Sequence, residues 1–321
     1  MYIGSVRFFK HLILTVIALL IVVPTVGCVS LALQCHNLKV LIEEQAAQIA
    51  LITSETAFAG DISAEQADAS DSKVKEPILT VYAADQLPDD TEDAIPYQLL
   101  YPELYVENDF HYVAEDEKTI YLTFDDGPTG LTPQVLDILK SRGVHATFFV
   151  VMRTGGDSEA LYNRIIDEGH TLAAHSASHD YKKIYSSVEA YLDDLAVLSD
   201  MLEETTGVKP ELIRFPGGSI NNYNKSIQQE LISELLRRGY TYYDWDVSSG
   251  SSTNTATVSS IYANVINGVS SKHKAIVLMH DAGTSATVTA LPGIIDSLIA
   301  SGYTFKVLDK TVKPACFDYS N

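Results

Sequence analysis

From Lys118 onward, strand-like and helix-like segments alternate, and this order limits the possible folds more than any other feature of the 321-residue chain. Several helical segments end at a glycine, as helices commonly do. A repeated strand–helix order predicts a parallel sheet with helical crossovers. The predicted strands are Thr119–Phe124, Ala146–Val151, Thr171–Ala174, Leu212–Phe215, Tyr240–Val247, Ala275–Met279 and Tyr303–Leu308. The predicted helices are Thr132–Arg142, Glu159–Glu168, Ser187–Thr205, Lys225–Arg238, Val258–Val269 and Val288–Ala300.

Polar residues at the ends of these strands help to choose between two arrangements of the sheet. Asp125, His175, Arg214 and His280 all fall at carboxyl ends, and their strands are spread along the whole series. In a closed β/α barrel these ends meet at one mouth, whereas an open doubly wound sheet offers only a crevice at a switch point. Both arrangements satisfy the alternation, but the need for convergence favours the barrel.

The N-terminal region carries a long apolar run. Leu12–Leu33 contains 22 residues without a charge, and Arg7 and Lys10 precede it. Such a run is long enough to span a bilayer, and its basic flank favours a cytoplasmic N-terminus. We expect residues 1–34 to be an uncleaved membrane anchor, with the rest of the chain outside the cell. Lipid attachment at Cys28 is the second choice, and a cleaved signal peptide would have a shorter apolar region.

Three further segments separate this anchor from the strand–helix region. We expect a juxtamembrane helix over residues 35–54, an acidic flexible linker over 55–96 and an aromatic segment packed on the barrel over 97–117. The net charge of −20 is concentrated there, since Glu55 to Lys118 contains 17 acidic residues against 3 lysines. This charge argues against a nucleic-acid partner. The three cysteines imply no disulfide framework.

Two adjacent carboxylates, Asp125 and Asp126, stand where the first strand meets Gly127-Pro128. About fifty residues later, His175 and His179 are four residues apart and can share one face of a helical turn. Two histidines and one aspartate can hold a divalent metal and leave a position open for water. The other aspartate is then free to act as a base, which indicates a metal-assisted hydrolase. The alternative for the aspartates is a turn in which they cap the backbone.

Two later motifs offer an acid and an oxyanion donor. His280 ends a fully apolar strand and suits a general acid, although it could instead cap the next helix. Arg214 precedes a Pro-Gly-Gly turn and could pair with Asp125. The glycine N–H groups of this turn could donate to a developing oxyanion, or the turn could simply be a loop.

Together, Thr-Phe-Asp-Asp-Gly, His-Ser-x-x-His, Arg-x-Pro-Gly-Gly and Leu-x-His in this order resemble the polysaccharide deacetylases of carbohydrate esterase family 4, the NodB-homology domain. The resemblance covers about residues 118–308 and assigns residues 118–321 to a catalytic domain. It implies a distorted, incomplete β/α barrel of about seven parallel strands that removes N-acetyl groups from sugar polymers with zinc or another divalent ion (Co²⁺, Mn²⁺ or Ni²⁺). The implied roles are Asp125 as base, His280 as acid, Asp126, His175 and His179 as metal ligands, Arg214 as the holder of Asp125, Gly217 as oxyanion donor and Leu278 as part of the acetyl pocket.

Two positions depart from the family pattern. Many members have tyrosine where Gly217 stands, which leaves only the backbone donor here. The fourth motif usually offers an Asp-Trp pair that tunes the catalytic histidine and walls the acetyl pocket, whereas Ser251-Ser252 align at that point. Asp246 is a candidate replacement for the aspartate, and Trp245 is a candidate substrate contact. The pocket is therefore expected to be more open than usual.

An anchored enzyme on some forty flexible residues, with a reach of about 35 Å, is placed to act on the cell wall. The expected substrate is N-acetylglucosamine in peptidoglycan, and the expected partners are this glycan and the lipid bilayer, without a stable oligomer. Chitin, poly-N-acetylglucosamine and acetylated xylan remain open as substrates. A wall-binding module without turnover and an O-acetyl esterase are the competing functions.

Overall fold

Eight strands form one sheet in the computed structural model, which describes residues 95–114, 118–253 and 255–318. The strands are β1 (Thr119–Asp125), β2 (Thr147–Val151), β3 (Thr171–Ser176), β4 (Leu212–Ile213), β5 (Thr241–Tyr242), β6 (Val247–Ser248), β7 (Lys274–His280) and β8 (Thr304–Phe305). The helices are α1 (Thr132–Arg142), α2 (Ser158–Asp167), α3 (Tyr181–Ile184), α4 (Val188–Thr206), α5 (Gln228–Arg237), α6 (Val258–Val269) and α7 (Ala286–Ala300). The bounds of most predicted helices agree with the observed ones within one or two residues.

The sheet is parallel and curls into an incomplete barrel. Its strand order is β5-β4-β3-β2-β1-β7-β6, and β8 pairs with the first two residues of β1. Every strand pairing in the described part of the chain is parallel, and β5 does not pair with β6 there. The expectation of a parallel β/α barrel that does not close is therefore confirmed for the described residues.

The expectation of one strand over Tyr240–Val247 is wrong, because this run contributes to both edges of the sheet. The N–H of Tyr243 still donates to Ile213 at the edge formed by β4 and β5, whereas the N–H of Asp246 donates to Ile276 in β7. Between them, the N–H of Asp244 donates to Ala315. The aromatic run has the composition of a single strand, but its backbone crosses the opening of the barrel.

Alternation along the strands separates an apolar interior from a polar mouth. Below the carboxyl ends of the strands, the inner side chains are apolar. They are Tyr121, Phe149, Ala173, Leu212 and Ile276, which form one buried cluster with Tyr243, Leu308 and Val312. Side chains two or four residues further along the same strands are Thr123, Asp125, His175, Arg214, Leu278 and His280. The period of two residues thus places the predicted catalytic groups on the inner face, at the carboxyl ends of the strands.

The segment before β1 packs on the barrel through Tyr97 and Leu104, which are buried. Arg238 fastens it, since its guanidinium donates to the carbonyl oxygens of Tyr97, Leu100 and Tyr101. The predicted membrane anchor (1–34), juxtamembrane helix (35–54), nearly all of the acidic linker (55–96) and residues 115–117 lie outside the described residues. Within the residues that are described, no helix is long and apolar enough to span a membrane.

Candidate active site

Asp125 is the last residue of β1, and a buried arginine holds its carboxylate. Nη1 of Arg214 donates to Asp125 Oδ1 at 2.8 Å and to the hydroxyl of Thr123 at 2.6 Å. Nε and Nη2 of Arg214 donate to the carbonyl oxygens of Tyr243 and Asp244 at 2.8 and 3.1 Å. Because the guanidinium is fully buried and donates to several fixed acceptors, the orientation of Asp125 is fixed as well.

Asp126 faces a different set of partners from Asp125. Its φ of +72° turns the backbone out of the strand, and its Oδ1 lies 3.5 Å from Nε2 of His175 and 3.1 Å from Nε2 of His179. His280 approaches from the other side, with Nε2 at 4.0 Å from Asp126 Oδ2. The two neighbouring carboxylates therefore have separate tasks available to them, as the sequence predicted.

The charges of this cluster are coupled. Burial alone would raise the pKa of Asp126, but the close imidazoles of His175 and His179 outweigh burial and hold the pKa well below its usual range. Burial would lower the pKa of His175, yet the charges of Asp125 and Asp126 outweigh it and raise the pKa. The carboxylates of Asp125 and Asp126 thus favour a positive charge between them and the histidines.

Asp126, His175 and His179 fit a divalent metal. One donor atom from each lies within 4.8 Å of the others. Asp126 Oδ1 is buried, and among the described residues no donor meets it with hydrogen-bond geometry, although both imidazoles are near. Nδ1 of His175 contacts the carbonyl oxygen of Arg214 at 2.7 Å, which leaves Nε2 as the nitrogen that faces the cluster. Two nitrogens and one carboxylate oxygen form a donor set that suits zinc and similar ions.

The prediction that His175 and His179 share a helical turn is wrong. His175 belongs to β3, and His179 lies in the following loop with a φ of +52°. The backbone N–H of His179 donates to the hydroxyl of Ser176 at 2.8 Å, which folds the loop back on the strand end. A strand followed by a tight loop therefore brings the imidazoles together, with ring centroids 5.3 Å apart.

Asp194 supports this loop, and the sequence analysis gave it no role. Its carboxylate accepts from the hydroxyl of Ser176 and from the N–H groups of Ala177 and Ser178 at 2.6 to 2.8 Å. Asp194 is buried on the inner face of α4. A carboxylate on an otherwise apolar helix face was the available signal, since such a group needs buried partners.

His280 meets Ser251 rather than an acidic residue. Nδ1 of His280 lies 3.0 Å from Ser251 Oγ, and this oxygen also accepts from the His280 N–H and the Ser249 hydroxyl. Because Ser251 Oγ already accepts twice, its own hydrogen is available to Nδ1, which directs Nε2 of His280 to the site. Burial outweighs the charges of Asp125 and Asp126 and lowers the pKa of His280.

The two candidates of the fourth motif, Asp246 and Trp245, have different surroundings. Asp246 is exposed, and its carboxylate accepts from the N–H of Ile276 at 2.8 Å, four residues before His280 on β7. The carboxylate of Asp246 is thus engaged at the edge of the sheet, and Nδ1 of His280 contacts Ser251 instead. Trp245 packs edge-on against Phe317, with centroids 4.9 Å apart, and its ring lies 5.9 Å from the guanidinium of Arg214.

Gly217 and Leu278 lie at the rim and the wall of the site. Gly217 has a φ of +78°, and its N–H has no hydrogen-bond acceptor among the residues described. The hydroxyl of Tyr185 donates to the carbonyl of Pro216 at 2.8 Å and holds this loop. Leu278 pairs in register with Thr123 and lies on the same strand face as His280. A free N–H can donate to a carbonyl oxygen, and an apolar side chain can contact an acetyl methyl group.

Asp281 is a second buried acid that the sequence analysis left without a role. Its carboxylate lies against Gly127, and the hydroxyls of Thr129 and Thr132 donate to its carbonyl and its carboxylate. Burial raises the pKa of Asp281 to about 7. Asp281 directly follows β7, and its contacts join the loop after Asp126 to the end of that strand.

Comparison with known proteins agrees with this geometry. A family model described as polysaccharide deacetylase matches residues 112–235. A putative polysaccharide deacetylase, YheN of Bacillus subtilis (strain 168), is 33% identical over 249 residues, which cover 76% of this chain and 86% of that protein.

Two solved structures extend the comparison to the fold. The catalytic domain of a peptidoglycan N-acetylglucosamine deacetylase from Eubacterium rectale ATCC 33656 is 38% identical with a TM-score of 0.63, over 66% of this chain and 97% of that one. A family 4 acetyl xylan esterase from Clostridium thermocellum, in complex with a cobalt ion, is 28% identical with a TM-score of 0.51, over 59% and 88%. Since YheN is matched over most of its length, the chain belongs to the polysaccharide deacetylase family.

Proposed function

We propose that this chain hydrolyses N-acetyl groups of a cell-wall polysaccharide, with N-acetylglucosamine of peptidoglycan as the substrate and acetate as a product. The observation that carries the proposal is the carboxylate of Asp125, fixed by Arg214 beside the cluster of Asp126, His175 and His179. The likeness to the peptidoglycan N-acetylglucosamine deacetylase of Eubacterium rectale supports this choice of substrate.

We assign the metal site to Asp126, His175 and His179, with zinc as the first choice and Co²⁺, Mn²⁺ or Ni²⁺ as alternatives. A divalent ion bound there would polarise the acetyl carbonyl and lower the pKa of water. The cobalt ion in the acetyl xylan esterase of Clostridium thermocellum supports a metal-dependent reaction.

The remaining groups divide the proton transfers between them. Asp125, oriented by Arg214, accepts a proton from the attacking water. The N–H of Gly217 donates to the oxyanion that forms from the carbonyl oxygen. His280, whose Nε2 faces Asp126 Oδ2, takes up a proton from solvent and in this protonated form delivers a proton to the leaving nitrogen. Leu278 provides an apolar wall for the acetyl methyl group.

An O-acetyl esterase is the second candidate, because the acetyl xylan esterase shares the fold at 28% identity. The same base and oxyanion donor would serve an ester, and an alkoxide leaves more readily than a nitrogen that has not been protonated. The choice between the two substrates depends on the groups that contact the sugar, beyond the acetyl pocket.

We further propose that the chain works at the cell surface, as a single-pass membrane protein with its catalytic domain outside. The support is the charge-free run Leu12–Leu33 behind Arg7 and Lys10. The acidic stretch that follows would let the domain reach its polymer. Protease treatment of intact cells tests this membrane topology. It should release the catalytic domain and leave the N-terminus protected.

Acetate release from three substrates tests the proposed activity. The metal-loaded protein is incubated with purified peptidoglycan, N-acetylglucosamine pentamer and O-acetylated xylan. We expect acetate from the first two and at least about a hundredfold less from Asp125→Asn, while Asp137→Asn, an exposed change on α1, should behave as wild type. Acetate from xylan alone would favour the esterase, and no acetate from any substrate would favour a wall-binding module.

A further inference from the structure

Two tyrosine rings extend from the cluster toward solvent. Tyr181, the first residue of α3, meets His179 edge-on at 5.3 Å between ring centroids and an angle of 89°. Tyr223 meets Tyr181 at 5.2 Å and 63°. The rings therefore form a continuous aromatic face that begins at a proposed metal ligand and ends at the surface.

Tyr223 is exposed in spite of a rigid setting. Its side chain is 52% exposed, more than any other aromatic side chain in the described part of the chain. The loop that carries it is held by Asn221, which accepts from the N–H groups of Tyr223 and Asn224, and by Asn224, which accepts from the N–H of Asn221. A large ring exposed on a fixed loop at the rim of a site is pre-organised to bind a ligand.

Tyr181 fills a space that the neighbouring loop leaves free. A Cβ at Gly217 would lie 2.8 Å from Cε1 of Tyr181, so position 217 can hold this ring beside it only as glycine. No hydrogen-bond partner is found for the hydroxyl of Tyr181 or Tyr223 among the residues that the structure describes. The face therefore offers ring surface together with two polar tips, as tyrosines do where one side is apolar and the other is wet.

We propose that Tyr181 and Tyr223 bind the sugar unit next to the one that is deacetylated, so that the chain prefers a polymer to a single sugar. A glycan whose acetyl group reaches Asp125 must continue past the rim, and the aromatic face lies on the rim beside His179. A pyranose ring has the matching surface, since its C–H groups pack on an aromatic ring while its hydroxyls bond at the edge. This inference rests on the proposed function and names its specificity-determining residues.

Binding of N-acetylglucosamine pentamer tests this subsite without turnover. The affinity is measured by calorimetry on metal-loaded protein in an Asp125→Asn background, which removes the proposed base. Adding Tyr223→Ala should weaken binding about threefold to tenfold, as expected for the loss of one aromatic contact. Tyr223→Phe keeps the ring and should bind within twofold, as should the control Tyr262→Ala, a tyrosine on α6 with 37% exposure.

A second readout separates the subsite from damage to the acetyl pocket. In the otherwise wild-type chain, Tyr223→Ala should lower kcat/KM for the pentamer and leave hydrolysis of 4-nitrophenyl acetate unchanged. The inference would be overturned if Tyr223→Ala left the affinity for the pentamer unchanged, or if the Asp125→Asn protein did not bind the pentamer at all. An equal loss of activity on the pentamer and on 4-nitrophenyl acetate in Tyr223→Ala would overturn it as well. If wild type released no acetate from the pentamer while Tyr223→Ala still weakened binding, the proposed function would fail and the subsite would stand.

Discussion

Two fully buried arginines serve two regions of the molecule in different ways. Arg214 lies at the mouth of the barrel and donates to Asp125 at 2.8 Å. Arg238 lies under the N-terminal segment and donates to Glu234 at 2.6 Å. Both guanidiniums also donate to backbone carbonyl oxygens from distant parts of the chain. The chemistry of the two ion pairs is the same, so their functions must differ in what surrounds each carboxylate.

The surroundings of the two carboxylates do differ. Glu234 also accepts two bonds from Arg237, each at 2.7 Å, so that two arginines share its oxygens. Asp125 is held by one arginine and stands in register with His280 on the neighbouring strand, β7. A buried ion pair is therefore weak evidence for function or for stability on its own. What matters is whether the carboxylate keeps the capacity to exchange a proton with a substrate.

Loss of the base should have the largest effect. Asp125→Asn keeps the size of the side chain but removes the proton acceptor, so acetate release should fall about 10²- to 10⁴-fold. Glu234→Gln, the matched change in the other region, should leave the activity within twofold. Metal content measured on the same samples should be unchanged in both. Activity retained in Asp125→Asn would end the distinction between the two carboxylates.

Asp281 extends the comparison to a buried carboxyl that meets no cation among the described residues. Its pKa is about 7 in the folded chain against 3.8 for an ordinary aspartate, so the folded state binds the extra proton. The protonated Asp281 therefore contributes its full share to the free energy of unfolding below pH 4. This contribution, up to about 4 kcal/mol, is lost as pH rises through about 7. Asp281→Asn should remove this loss. Urea unfolding at pH 4.5 and pH 8 checks it, and a difference from wild type that does not change with pH would contradict the explanation.

Replacing the arginine at the mouth should have an intermediate effect. Arg214→Lys keeps the charge but loses the planar fork that bonds Asp125 and the backbone together. The carboxylate would lose its fixed orientation, and kcat should fall about tenfold to a hundredfold. Melting curves and metal content, recorded alongside, show whether the fold and the cluster persist. A folded variant with a wild-type kcat would show that Arg214 has only a structural role.

The smallest effect on activity is expected for Arg238→Lys. The shorter donor leaves carbonyl oxygens of the N-terminal segment unsatisfied, at about 1–3 kcal/mol of stability. The melting temperature should drop, and limited proteolysis should cut before residue 118 more readily, while acetate release at 25 °C stays within twofold. A parallel loss of activity would mean that the N-terminal segment contributes to the site, and the two regions would not be independent.

Local patterns in the sequence were sufficient for most of the strands and helices and for the residue types of the candidate site. Alternation along the strands is what aligns Asp125, Arg214 and His280 on one face, and this pattern can be read from the sequence. The cluster of Asp126, His175 and His179 was found from residue types and spacing, although a loop rather than a helix brings the histidines together. Residue chemistry was a better guide here than backbone geometry.

The missed groups are those whose partners lie far away in the sequence. Asp194 reaches residues 176–178 from α4, beyond the short helix α3, and Ser251 reaches His280 across 29 positions. Asp246 lies five residues before Ser251, which aligns with the usual aspartate, but its carboxylate accepts from the N–H of Ile276. No local pattern encodes such contacts, because they depend on how separate elements pack together in the folded chain.

The most direct measurement is acetate release from N-acetylglucosamine pentamer as zinc is added back to chelator-treated protein. If Asp126, His175 and His179 hold one catalytic ion beside Asp125, the rate should rise from near zero and level off at one equivalent per chain, and His179→Ala should fail to reach this level. Full acetate release from the metal-free protein, or a wild-type response in His179→Ala, would contradict the account.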